Sequence, residues 1–128
     1  MSNTNHKPTG SELEILQVLW EKGPSLVRTV NDELNKTREV GYTTTLKLMQ
    51  IMTEKGILSR SKEGRGHIYH PLVGKSDTQK QMLDKVLHGV FGGSASTLVM
   101  QALGNHQASA KELNEIKDYI NKLEGGQS

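Results

Sequence analysis

The chain contains no cysteine. That absence removes disulfide frameworks, thiolate metal sites and cysteine nucleophiles together. Aromatic residues are scarce as well, with one Trp, one Phe and three Tyr making up 4% of the sequence. Any core is therefore aliphatic and small, and a 128-residue chain of this kind often completes its core against a second copy. No apolar run approaches membrane-spanning length, and the opening MSNTNHKPTG lacks the charged-then-apolar pattern of a secretory signal. The expectation is a soluble, cytoplasmic protein with no membrane insertion.

Chemistry-bearing motifs are missing too. There is no glycine-rich phosphate loop, no HExxH pair and no close carboxylate pair. The segment Gly92-Gly93-Ser94-Ala95-Ser96 superficially suggests a nucleophile elbow, but it has Ser where that motif needs Gly and follows a helical pattern rather than a strand. A helix stop and restart explains it. His67 and His70 stand three apart on a presumed strand, so their side chains take opposite faces, and His88 and His106 are isolated. No catalytic residue, metal site or cofactor is expected.

What is present is unevenly distributed. The formal net charge is +2, yet residues 1–75 carry 11 Lys and Arg against 8 Asp and Glu, while residues 76–128 carry 5 against 6. The positive excess lies in the first half. Its size is unremarkable for a mixed surface; its location matters more.

Residues 11–22 place Leu13, Leu16, Leu19 and Trp20 at helical spacing, with Ile15 and Val18 widening the stripe. Thr9 with Glu12 fits a capping box, and Gly23-Pro24 stops the helix. Ser25 is placed to cap a second helix that buries Leu26, Val27, Val30 and Leu34. A polar break at residues 38–41 precedes a third helix starting near Thr43, which buries Leu48, Met49 and Met52. Gly56 ends that helix as a left-handed C′ residue. Residues 57–62 and 67–70 read as short strands around the turn Glu63-Gly64-Arg65-Gly66, and Pro71 closes the module.

Residues 41–71 (GYTTTLKLMQIMTEKGILSRSKEGRGHIYHP) thus form a helix followed by a basic hairpin. That order of elements is how a winged helix-turn-helix module addresses a DNA groove and its flanking phosphates. Three consecutive threonines are poor helix formers and need a reason. Thr43, Thr44 and Lys47 are expected to face bases or phosphates, whereas Arg60, Lys62 and Arg65 grip the backbone. The blander readings are a threonine cap and a solvated charged turn.

After residue 75 the pattern changes. Ser76 with Gln79 is placed to cap a helix ending at Gly92-Gly93. Ser94 restarts the chain into a helix stopped by Gly104-Asn105, and Ser109 with Glu112 forms a second capping box. Three short helices cannot bury their own apolar faces. The expected solution is an intertwined homodimer; folding back on the first domain is the other. Leu83, Val86, Leu87, Val90, Phe91, Leu98, Val99, Leu103, Leu113, Ile116, Ile120 and Leu123 are the expected dimerisation residues. The fold class is mainly α with a small β-hairpin. Residues 9–73 are read as the winged domain and 74–124 as a helical dimerisation domain, with disordered tails at 1–8 and 125–128.

A family pattern runs through nearly the whole chain. It comprises Glu12 followed by Leu19-Trp20, Gly23-Pro24, Tyr42-Thr43-Thr44, Lys55-Gly56-x-Leu58, Glu63-Gly64-Arg65, Tyr69-x-Pro71 and Phe91-Gly92-Gly93-Ser94. In order and spacing these resemble the penicillinase-repressor family of bacterial winged-helix regulators. The resemblance implies a homodimeric repressor bound to an inverted-repeat DNA operator that overlaps a promoter, with a membrane sensor protease as a candidate inducer. Two departures stand out. Ile51 occupies a position late in the recognition helix that is commonly basic in the family. Gln101-Ala102 replaces the Asn-Phe bond cleaved in antibiotic-responsive members. The copper-responsive branch uses C-terminal cysteines, which this chain lacks. A winged-helix protein–protein module without specific DNA binding is the alternative function.

Overall fold

The computed structural model describes residues 8–125. In chain order these form α1 (Gly10–Lys22), α2 (Val27–Leu34), α3 (Tyr42–Glu54), β1 (Leu58–Glu63), β2 (Gly66–Pro71), α4 (Lys75–Gly89), α5 (Ala95–Asn105) and α6 (Ala110–Gly125). They make two compact units that divide inside α4, between Leu83 and Asp84. Pro8 is buried and Gly125 closes α6; the rest of the two expected tails, 1–7 and 126–128, lies outside the described residues.

The first unit begins with the capping box foreseen from sequence. Thr9 Oγ1 accepts from the Glu12 amide at 3.2 Å, and Thr9 N–H donates to Glu12 Oε1 at 3.0 Å. Ile15, Leu16 and Leu19 point from α1 into a core completed by Val27, Val30, Leu34, Val40, Met49, Met52, Ile57, Leu58 and Tyr69. Tyr69 is its only fully buried aromatic among the described residues, as the composition implied. Trp20 is half-buried at the edge, and its indole N–H donates to the Val73 carbonyl at 3.0 Å.

Two expectations for the start of α2 are corrected. Ser25 is not the cap: Leu26 is, and it provides no side-chain cap. Ser25 instead pairs antiparallel with Tyr69, donating N–H to Tyr69 O at 3.2 Å and accepting from Tyr69 N–H at 2.9 Å. A one-residue third strand thereby joins the hairpin to the helices. Leu26 is 39% exposed rather than buried, because the cap position precedes the helical stripe.

The end of α3 follows the sequence reading. Gly56 has φ 82°, its N–H donates to Thr53 O, and Ile57 N–H donates to Met52 O at 2.9 Å. That is the double bond of a Schellman motif, which turns the chain directly into β1. The strands pair antiparallel from Leu58 opposite Pro71 to Glu63 opposite Gly66. Gly64, at φ 59°, begins the two-residue loop.

The remaining chain is sparsely packed by itself. Helix α4 starts at Lys75, so Ser76 lies within its first turn and is not the cap. Gly92 and Gly93 take positive φ in the turn after α4, and Ser94 Oγ accepts from Thr97 N–H at 3.2 Å to cap α5. Gly104 and Asn105 belong to the last turn of α5, and His106 is its C-cap. Ser109 Oγ accepts from Glu112 N–H at 3.0 Å at the start of α6. No residue of α5 or α6 is buried.

Candidate nucleic-acid interface

The connection between α2 and α3 is fixed by two asparagines. Asn35 Nδ2 donates to the carbonyls of Asn31 and Val40 at 2.8 Å each, and its Oδ1 accepts from Val40 N–H at 3.1 Å. Asn31, with its amide nitrogen turned inward, donates to Val40 O and Gly41 O at 3.2 Å each and to Thr45 Oγ1 at 2.7 Å. Thr45 is fully buried. The third threonine of the run is thus a structural anchor that sets α3 against α2.

With Thr45, Met49 and Met52 facing the core, helical geometry places Thr43, Lys47, Gln50 and Glu54 on the opposite, outward stripe. All four are exposed. Thr44 is exposed too, one side of that stripe, where it shares a flank with half-buried Ile51. The helix start is capped by Gly41 with no side-chain bond, so none of the threonines is spent as a cap. Thr43, Thr44 and Lys47 therefore share one accessible end of α3.

Arg60, Lys62 and Arg65 are exposed along the hairpin, with Arg60 opposite Tyr69 and Lys62 opposite His67. Four other cations of the unit are neutralised within the molecule, while Lys75 and Lys80 of α4 also make no ion pair among the described residues. Lys22 and Lys36 reach Glu33 at 3.3 and 2.6 Å, Arg38 reaches Glu14 at 2.6 Å and Lys55 reaches Glu12 at 2.8 Å. The Arg38 hydrogen bond holds the Glu14 carboxyl below its ordinary range. Among the described residues Lys47, Arg60, Lys62, Arg65 and Arg28 make no ion pair. A surface of unpaired cations is suited to an external polyanion.

The sequence reading missed three residues here. Arg28 and Tyr42, with Arg65 and His67, line a shallow groove between the starts of α2 and α3 and the hairpin tip. Gln50 extends the outward stripe of α3 beyond Lys47. Helical spacing from the buried methionines was the available signal for Gln50. Nothing local in the sequence brings Arg28 beside Arg65.

Helix, turn, helix and hairpin, with the second helix outward and the hairpin basic, define a winged helix-turn-helix protein. The model of the penicillinase repressor family matches residues 8–122, and the chain belongs to that family. It is 30% identical over 106 residues to the penicillinase repressor of Bacillus licheniformis, covering 83% of each chain. Against the methicillin resistance regulatory protein MecI of Mammaliicoccus sciuri, identity is 23% over 122 residues, 95% of this chain and 99% of that one. The solved structure of monomeric BlaI of Bacillus licheniformis with the blaP half-operator matches at a TM-score of 0.50 and 30% identity. It covers 56% of this chain and 88% of that one.

Proposed function

We propose that this chain is a sequence-specific DNA-binding transcriptional repressor without catalytic activity, acting in the cytoplasm as a homodimer on an inverted-repeat operator. The observation that carries the reading is the exposure of unpaired cations on both α3 and the hairpin: Lys47 with Thr43 on the outward stripe, and Arg60, Lys62 and Arg65 along the hairpin. In this reading α3 enters the major groove, Thr43, Thr44 and Lys47 meet bases or phosphates, and the hairpin arginines and lysine hold backbone. The related BlaI, solved in complex with a half-operator, supports the DNA-binding reading.

Dimerisation is supported by what residues 84–125 leave uncovered. Val86, Val90, Val99, Leu113, Ile120 and Leu123 are 38%, 72%, 43%, 37%, 46% and 48% exposed, and Leu83 just before them is 53% exposed. Leu87, Phe91, Leu98, Leu103 and Ile116 are only half-buried. A second copy would cover this apolar surface and set two α3 helices about 34–36 Å apart, one helical turn of DNA. Gln101-Ala102 stands in α5 where the resemblance implies an Asn-Phe bond, so release by cleavage at such a bond does not carry over to this chain.

The test combines solution mass by light scattering with salt-dependent binding to a duplex selected by the protein from a randomised pool. A dimer mass and preference for a palindromic sequence are expected. A monomer that selects no sequence would overturn the reading.

A further inference from the structure

We infer that Arg28 is a second backbone clamp, which with Arg65 grips one DNA phosphate strand in the groove between α2 and the hairpin tip. The inference rests on the DNA-binding reading above. Arg28 and Arg65 line the same groove from different elements, together with Tyr42 and His67, and the lining contains no acidic residue. Both arginines are exposed and neither makes an ion pair among the described residues.

The groove is held in shape. A Cβ at Gly66 would lie 3.2 Å from Leu26 Cδ2, so the hairpin packs close against the side chain that precedes α2. The paired hydrogen bonds between Ser25 and Tyr69 fix the same two segments from below. Tyr42 forms one wall, and the next residue, Thr43, begins the outward stripe of α3. A strand lying in the groove would therefore be the backbone flanking the bases that α3 reads. Guanidinium groups suit it, because their forked donors match phosphate oxygens.

The experiment measures binding of wild type, Arg28→Ala and Lys47→Ala full-length chains, across a salt series, to the selected duplex and to an unrelated duplex. Arg28→Ala should weaken binding to both to a similar extent and flatten the logarithmic salt slope by about 0.9, the loss of one phosphate contact. Its thermal unfolding should match wild type, since the side chain is exposed. Unchanged affinity and slope would overturn the inference, as would a loss confined to the selected duplex, while Lys47→Ala still losing sequence preference would leave the DNA-binding reading standing. If wild type binds neither duplex, that reading fails first and the clamp goes with it.

Discussion

Lys55 Nζ lies 2.8 Å from Glu12 Oε2, joining the residue that caps the end of α3 to the first turn of α1. Glu12 is 2% exposed and also completes the Thr9 capping box, so one carboxylate serves both helices. Burial pushes its pKa up, but the Lys55 hydrogen bond, the Thr9 backbone N–H and the Lys55 charge outweigh that and leave it lowered.

Glu12→Gln should therefore destabilise the fold by about 1–3 kcal/mol at neutral pH, measured by urea unfolding. The sign follows from the lowered pKa: the stabilisation is complete above the ordinary glutamate range and disappears as pH falls through the folded-state value. The variant should show a flatter acid limb than wild type. Equal acid limbs would show that the pair contributes nothing.

Thr45→Val keeps the shape of a fully buried side chain but removes one of the three acceptors of Asn31, the one on α3 itself. The expected cost is about 1–3 kcal/mol in stability. Because α3 would lose part of its anchorage to α2, sequence discrimination should fall more than binding to unrelated duplex. A variant as stable as wild type would mean that the Val40 and Gly41 carbonyls satisfy Asn31 without Thr45.

Lys47→Ala should cost on the order of 1–3 kcal/mol of discrimination at one operator position. Arg65→Ala should weaken all sequences alike and reduce the salt dependence. Competition binding against single-position operator variants separates the two patterns. Unaltered operator affinity in Lys47→Ala would remove that residue from the interface.

Ile120→Asp puts a charge on the exposed apolar face of α6, where the side chain is 46% accessible. The helix should persist by circular dichroism while the light-scattering mass falls toward that of a monomer. Operator binding should weaken and become steeper in protein concentration. An unchanged dimer mass would place the interface elsewhere.

Local signals accounted for most of the fold. The Thr9 and Glu12 box, the left-handed Gly56 and the hairpin glycines each act within a few residues, so spacing alone revealed them. Ser25 was misread because its partner, Tyr69, is remote in sequence, and a hydroxyl ahead of an apolar run looks the same whether it caps or bridges. Thr43 and Thr44 were separable from Thr45 only once the buried face of α3 was known. The Arg28 and Arg65 groove was illegible for the same reason as the strand at Ser25: long-range packing creates it.

The single tryptophan has a use that its hydrogen bond makes available. Trp20 ties α1 to Val73, just before α4 begins, and it is half-buried there. Its emission therefore reports on one defined joint, with no competing indole elsewhere in the chain. Loosening of the α4 root on heating would register as a spectral shift in unlabelled protein.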